Sequence, residues 1–311
     1  MKTISDKEHN MDDKKVAVLL STYNGEKYLR EQLDSIENQT YKNIQIVIRD
    51  DGSHDNTVEI INEYSKKYGN VKFIHGKNKG FIKSFFKLLE YSDADYFAYA
   101  DQDDIWLPEK IELAVDKLNK FDNKLPNMAF SNSDYYDENM NLIGEGEKHK
   151  TYSYTNSLYE CVTQGMTMVI NDTTRRMVLD NPPKKVLFHD WWTYMICASM
   201  GNIGYSDETT VKYRRLGNNV TAEGENFIKV FLWRLKNIFG NDGLRNIRLQ
   251  QREFKRLFYD KLSEQDKKIT DIFVRKYTLG GALKKTFYCH KIRRHIGNDI
   301  VIRIMFVLGL L

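Results

Sequence analysis

The stretch that decides the fold is Ala98-Tyr99-Ala100-Asp101-Gln102-Asp103-Asp104-Ile105-Trp106-Leu107-Pro108. Tyr96 to Ala100 is apolar and aromatic and reads as a buried strand, and it runs directly into the carboxylates Asp101, Asp103 and Asp104. In extended backbone residues i and i+2 point the same way, so Asp101 and Asp103 converge on one object. Two hard carboxylate oxygens at a strand end suit a divalent cation such as Mg²⁺ or Mn²⁺, which keeps open positions for phosphate oxygens. The competing reading is a solvated acidic turn, since Asp favours turns and Pro108 suits the start of a helix. The stretch by itself leaves both open.

Upstream, the chain alternates strands with helices. Lys15 to Leu20 is a continuous apolar run ending at Ser21-Thr22-Tyr23-Asn24-Gly25. A helix follows, with Tyr28, Leu29, Leu33 and Ile36 on one face. Ile44 to Ile48 is a second strand, ending in Asp50-Asp51-Gly52-Ser53-His54-Asp55. Asp55 or Ser53 is placed to cap the helix carrying Val58, Ile61 and Tyr64. Val71 to Ile74 is a third strand, and Gly80 to Tyr91 is a helix with Phe81, Phe85, Leu88 and Leu89 inward. Strand–helix units of about 30 residues predict a mostly parallel sheet flanked by helices, in which ligands bind beyond the strands' carboxyl ends. Every polar cluster named so far sits at such an end, which favours the cation reading of Asp101 and Asp103.

Beyond Pro108 a helix is expected to about Phe121, with Ile111, Leu113, Val115 and Leu118 in the core. Met128–Ser131 and Thr167–Ile170 read as strands, with residues 134–156 between them polar and mobile. Leu187-Phe188-His189-Asp190-Trp191-Trp192 opens an apolar helix to Met200. Ile203–Tyr213 reads as a strand pair interrupted at Asp207-Glu208, before Arg214-Arg215-Leu216-Gly217-Asn218-Asn219.

Hydrophobic residues at 41% and charged residues at 29% describe a folded chain, and 311 residues hold one large domain or a domain with an appendage. Cys161, Cys197 and Cys289 have no metal-ligand spacing and suit a reducing cytosol. Residues 1–14, polar and charged, read as a frayed tail, neither signal peptide nor anchor. The net charge of +4 hides an asymmetry: residues 228–311 carry 19 Lys/Arg against 7 Asp/Glu, leaving −8 for the rest. An acidic front and a basic back point to two regions with different tasks.

In this order, the clusters Ser21-Thr22-Tyr23-Asn24-Gly25, Asn38-Gln39-Thr40-Tyr41, Asp50-Asp51-Gly52-Ser53-His54-Asp55, Asn78-Lys79-Gly80, Asp101-Gln102-Asp103 and His189-Asp190-Trp191-Trp192 resemble the family 2 glycosyltransferases. Each cluster is weak alone, but their shared order is specific. The resemblance implies an α/β GT-A fold, Rossmann-like with a mostly parallel sheet flanked by helices. It covers residues 15–221 as a catalytic domain and leaves 222–311 as a basic helical extension. It further implies a nucleotide-sugar donor, with Thr22, Tyr23, Asn24 and Glu26 lining the nucleotide pocket. Asp50 or Asp51 would accept from the imide N–H of uracil or thymine, as a carboxylate can only accept; the alternative is that both merely form the turn. Lys79 and Lys83 would approach base or phosphates, or else stand solvated. Asp101 and Gln102 belong to the donor site, and Asp101 and Asp103 to the metal, Mg²⁺ or Mn²⁺.

The same resemblance implies that Asp190 is the base that deprotonates the acceptor, with inversion at the anomeric carbon; spacing alone favours reading it as a helix N-cap. Trp191 and Trp192 either pack or stack on the acceptor sugar, and His189 either binds acceptor or packs. Related enzymes often carry a histidine where Leu216 stands. Leucine cannot ligate a metal, so Arg214 or Arg215 would clamp the diphosphate instead. Asp-Gln-Asp-Asp-Ile-Trp-Leu-Pro-Glu-Lys with His-Asp-Trp-Trp looks most like the rhamnosyltransferase branch that builds bacterial surface polysaccharides, implying dTDP-L-rhamnose as donor. Galactosyl- and glucosyltransferases using UDP-sugars share much of this pattern.

Phe227–Phe239 and Arg245–Leu262 read as basic amphipathic helices, and Val301–Leu311 is too short to span a bilayer. Such segments suit either an anionic membrane surface or packing on the catalytic domain or a second subunit, as a homo-oligomer. No nucleic-acid fold signature accompanies the charge. Membrane docking would bring the enzyme to a lipid-linked saccharide acceptor, on the cytoplasmic face of the bacterial plasma membrane. Two rival classes remain. A sugar nucleotidyltransferase would need a Gly-rich basic loop where Ser21 to Glu26 stands, and a non-catalytic scaffold would not need Asp103 and Asp190.

Overall fold

The computed structural model describes residues 14–148, 152–216 and 243–311. The expected helix at Phe227–Phe239, the turn Gly217-Asn218-Asn219, the boundary at 221/222 and all of the expected tail but Lys14 lie outside these residues. The front half alternates as β1 (Val16–Thr22), α1 (Leu29–Glu37), β2 (Ile44–Asp50), α2 (Thr57–Lys67), β3 (Val71–His75), α3 (Phe81–Tyr91) and β4 (Tyr96–Ala100). These four strands are parallel, in the order β3-β2-β1-β4. β1 is apolar at every position from Val16 to Leu20 because both of its faces are covered. Val16, Val18 and Leu20 join the core under α1 and α2, with Leu33, Ile36, Ile60 and Ile61. Ala17 and Leu19 face the opposite core with Phe85, Leu88 and Leu89 of α3.

The chain continues through β5 (Ile105–Trp106), α4 (Lys110–Leu118), β6 (Asn127–Tyr136), β7 (Leu142–Gly144), α5 (Tyr154–Ser157), β8 (Met168–Asn171), α6 (Asp172–Asp180), α7 (His189–Met200) and β9 (Asn202–Arg214). β8 is antiparallel to β4 and β6, β6 is parallel to β9, and β5 closes the far edge against β9. The result is one mixed, mostly parallel sheet with helices on both faces.

Four expectations are corrected. Phe81 is exposed rather than inward: it opens α3 and lies against Phe188 and His189 instead of entering the core. Residues 134–156 are not one polar connection, since β6 extends to Tyr136 and β7 pairs back onto it. The strand pair at Ile203–Tyr213 is a single strand, and Asp207-Glu208 falls where its register against β6 shifts. The position capping α2 is Asn56, without a side-chain cap bond, although the Asp55 carboxylate accepts from Thr57 N and Oγ1.

At the back, α8 (Gly243–Phe258), α9 (Glu264–Phe273) and α11 (Ile296–Val307) share the α3/α7 core, and α10 (Leu279–Thr286) packs against α11. Trp192 of α7 lies 5.5 Å from Phe254 and 6.0 Å from Phe258, ring centre to ring centre. Tyr159 contacts Phe273 and Phe306. Polar ties reinforce the seam: Gln251 Nε2 donates to Leu158 O, and Gln250 Oε1 accepts from Leu187 N. Because Trp192 is fully buried at this seam, Trp192→Ala is expected to lower stability by about 3–5 kcal/mol. Chemical denaturation followed by far-UV circular dichroism should show the α8–α11 helices and the sheet melting in one transition.

Candidate active site

The carboxyl ends of β1, β2 and β4 form one polar floor, built chiefly by backbone. β4 stops at Ala100, and Gln102 turns back to the β1 loop. Its Oε1 accepts from Tyr23 N at 2.8 Å, and its Nε2 donates to Tyr23 O at 3.1 Å. Gly25 makes this possible, since a Cβ there would stand 2.4 Å from Gln102 Oε1. Asn24 takes a left-handed conformation (φ 48°), and its Oδ1 accepts from His54 N. Glu26 Oε2 accepts from Asn56 N and Nδ2. The first two strand ends are thereby stitched together.

Asp50 and Asp51 are both buried and fully engaged. Asp50 accepts from Thr22 Oγ1, Ser53 Oγ, Gly52 N and Ser53 N. Asp51 accepts from Arg49 Nη1 at 2.5 Å and from the backbone N–H groups of Lys79 and Gly80. Of the two roles the sequence left open, turn formation is the one these bonds serve; a base N–H would have to displace one of them. The Lys79 and Lys83 side chains are exposed at the start of α3, beside the same strand ends.

The acidic turn after β4 carries the strongest electrostatic tension. Burial, then Asp103, then Asp190 push the Asp101 carboxyl up to about 7. Burial also raises Asp103, against the pull of Arg214. Asp104 is raised well above the usual range by burial and by Asp103 and Asp101. Its Oδ1 accepts from Arg214 N at 3.2 Å, while its Oδ2 has no partner among the described residues. Lys110 lies under this turn, fully buried, with Nζ 4.0 Å from the Trp106 ring centre; burial brings it down to about 7.

Arg214 has a different employment from the diphosphate clamp anticipated for it. It is buried, its Nε donates to Asp103 O at 3.0 Å, and its Nη1 donates to Glu138 O at 2.7 Å. Nη2 pairs with Glu31. Its guanidinium also covers the Tyr28 ring. Every nitrogen is spent locking the end of β9 to the acidic turn and α1. Arg215 is half-buried near the Tyr135 and Tyr213 rings, and its Nη1 has no hydrogen-bond partner among the described residues. Leu216 is the last described residue before Gly217, and its aliphatic side chain carries no metal-ligating atom.

α7 delivers Asp190 to the same floor. Its first turn is fixed to β4 by the Tyr99 OH–Thr193 Oγ1 bond of 3.1 Å. His189 stacks on Phe85 at 3.9 Å and meets Tyr99 edge-on at 4.8 Å. The imidazole is buried, neither nitrogen has a partner among the described residues, and burial lowers it to about 3, so it is neutral. Asp190 Oδ1 accepts from Trp191 N at 2.7 Å, and Gly165 N also donates to this carboxylate. Burial pushes Asp190 up to about 6 against those backbone donors. A Cβ on Gly165 would stand 3.3 Å from His189 Nε2 and 3.6 Å from Asp190 Cβ. Trp192 is core, as described, and the Trp191 indole is buried with Nε1 on Ser157 O; neither ring offers an open face for a sugar.

Asp190 lies near enough to Asp101 for its charge to help raise that carboxyl, as Asp103 does, while Trp191, Trp192 and Arg214 are turned to structural use. Sequence reasoning missed Gly165 and Glu31, which no motif flagged, and gave no role to Asp104 and Lys110 although both stand in the acidic motif. Only the tertiary structure places Gly165 against α7. Among the described residues no group of three His, Cys, Asp or Glu side chains is arranged to hold a metal. Asp101 and Asp103 still fit a divalent cation, since Mg²⁺ sites take one or two carboxylates and complete themselves with substrate phosphates. Their crowding is also the kind a cation relieves.

Residues 17–180 match Glycosyl transferase family 2. The chain is 30% identical over 230 residues to dTDP-rhamnosyl transferase RfbG of Shigella flexneri, covering 67% of this chain and 75% of that protein. An uncharacterized glycosyltransferase of Rickettsia felis is 38% identical over 126 residues, which span 40% of this chain and only 20% of that protein. Among solved structures, S. aureus TarS 1-349 in complex with UDP-GlcNAc superposes with a TM-score of 0.56 at 17% identity, covering 95% of this chain and 90% of that one. That likeness establishes the GT-A fold. On the strength of the family match over more than half of its length, the chain belongs to glycosyl transferase family 2.

Proposed function

We propose that the chain is an inverting glycosyltransferase that moves L-rhamnose from dTDP-L-rhamnose to a hydroxyl of a growing, lipid-linked cell-surface polysaccharide. The observation that supports this reading is that the α7 carboxylate of Asp190 lies near enough to Asp101, at the carboxyl end of β4, for its charge to raise that group. The rhamnosyl donor is supported by the relative from Shigella flexneri. The solved neighbour bound to UDP-GlcNAc makes UDP-sugars the second class to test.

In this reading the donor lies across the ends of β1, β2 and β4. Thr22, Tyr23 and Asn24 shape the nucleotide shelf, and Gln102 holds it against β4. Glu26, Asp50 and Asp51 fix the loops around the base; Lys79 and Lys83 neutralise phosphate charge. Asp101 and Asp103 would hold Mg²⁺ or Mn²⁺, which when bound stabilises the charge growing on the leaving diphosphate. Asp190 takes the proton from the acceptor hydroxyl. The Trp191 and Gly165 N–H groups aim its carboxylate, and the neutral His189 beneath it adds no charge that would weaken it as a base. One base and direct displacement from the opposite face invert the anomeric centre.

Three outcomes are expected. Asp190→Asn should lower transfer by about 10²–10⁴-fold while donor affinity, measured by isothermal titration, stays within a few-fold; full transfer by this variant would refute the base assignment. Asp190 accepts a proton only when ionised. The kcat/KM profile should therefore fall as pH drops through about 6 and level off above it; a rate independent of pH between 5 and 7 would sink the assignment. In a thermal-shift panel with Mn²⁺, dTDP- and UDP-sugars should raise Tm, and Asp103→Ala should abolish the part that depends on Mn²⁺. A response to GDP-sugars alone would overturn the pyrimidine pocket.

A further inference from the structure

The last two helices leave an apolar face uncovered. On α10 and its C-cap, Leu279, Leu283 and Phe287 follow one another at four-residue spacing and are 67%, 45% and 79% exposed. Ile296, Ile300 and Ile304 repeat the pattern on α11, at 65%, 53% and 53%. Val307 and Leu308 continue the second stripe. Four-residue spacing keeps side chains on one side of a helix, so each stripe is a continuous ridge. The inner sides of both helices are already satisfied, with Ala282, Ile302, Met305 and Phe306 in the core.

The two ridges are held as one unit. Arg303 donates to the carbonyls of Thr286, Tyr288 and His290, and the Tyr277 hydroxyl donates to Val307 O. Asp299 fastens the inner side by accepting from Ile292 N, Arg293 N and Arg303 Nε. Soluble surfaces rarely leave so many large aliphatic groups together without a partner.

The charge on these two helices points to the partner, with one exposed acid from elsewhere, Glu147, paired to Arg294 and His295 at the start of α11. Residues 275–311 contain eight Lys/Arg and a single acidic residue, Asp299, which is buried and already engaged. Arg275, Lys276, Lys284 and Lys291 are exposed. A second copy of the same face would bring like charges together. The segment Phe227–Phe239, apolar enough to cover the ridges, contains Lys229, Arg234 and Lys236 and no acid, so it too has the wrong sign. An anionic bilayer supplies both what the cations attract and what the aliphatic ridges enter. No helix among the described residues is long and apolar enough to cross a membrane, so the contact is one of lying on the surface.

We infer that the α10–α11 face docks on an anionic lipid surface, with the Leu279–Phe287 and Ile296–Leu308 ridges in the acyl boundary and the flanking cations at the headgroups. The inference rests on these two helices and is independent of the donor.

The test is co-sedimentation of the full chain with vesicles, with the double variant Phe287→Asp/Ile300→Asp as comparison. Wild type should pellet with phosphatidylcholine–phosphatidylglycerol vesicles, at least about tenfold more strongly than with phosphatidylcholine alone, and high salt should release it. The variant should lose at least about tenfold in vesicle affinity while its Tm and nucleotide-sugar binding stay at the wild-type level. Equal, weak binding to both vesicles, or undiminished binding by the variant, would overturn the inference. So would a wild-type dimer that the variant makes monomeric, because the occupant is then a second copy. A large drop in the variant's Tm would show that the chain's own residues cover the face, which overturns it equally. Loss of donor binding by both proteins would count against the glycosyltransferase reading and leave this one standing.

Discussion

Like charges crowded at the end of β4 are the constraint on which the rest of the structure depends. Asp101, Asp103 and Asp104 stand within four residues on one short bend between β4 and β5, largely buried, and their carboxyls are all raised. Such a loop would open to solvent unless something held it shut. Arg214 does this from the far end of the chain, bonding Asp103 O through its side chain and Asp104 through its backbone N–H. The antiparallel pairing of β5 with β9 brings it there. The long excursion through β6, β8 and α7 between the acidic turn and Arg214 is thus also the clasp that keeps the turn in place.

The same excursion sets the second half of the site. α7 crosses the end of β4 because Tyr99, Phe85 and His189 make a closed aromatic contact below its first turn. Asp190 is consequently held on a rigid helix, aimed by backbone donors and raised by burial toward neutrality. Burial sets its proton affinity near working pH, and its side chain at the helix start is still partly exposed, the two properties a base would need. Behind it, Trp192 ties α7 into α8. The basic back of the chain therefore supports the site mechanically as well as presenting its own outer face.

Several side chains named as ligands serve as masonry. Asp50, Asp51 and Arg214 each have a full set of protein partners, and the two tryptophans are buried. Motif residues at strand ends have two jobs open to them, binding a ligand or shaping the loop that binds it. A buried carboxylate with four donors around it performs at least the second.

The sequence by itself determined the parallel half of the sheet and where its functional end lies. Apolar runs closed by polar clusters, with helical periodicity between, are local signals, and β1 to β4 with α1 to α3 were legible from them. Asp101, Asp103 and Asp190 could be named as candidates from the ordered clusters that carry them. Tertiary structure alone decided which polar groups face a ligand and which face each other, because hydrogen-bond partners such as Arg214 and Asp103, or Gly165 and Asp190, are far apart in sequence and no period relates them. It also decided that β7 and the short β5 exist, since their pairing comes from neighbouring strands rather than from their own residues. The exposed ridges of α10 and α11 are the same case in reverse. Their four-residue spacing is written in the chain, but only packing shows that the core claims the other side of each helix.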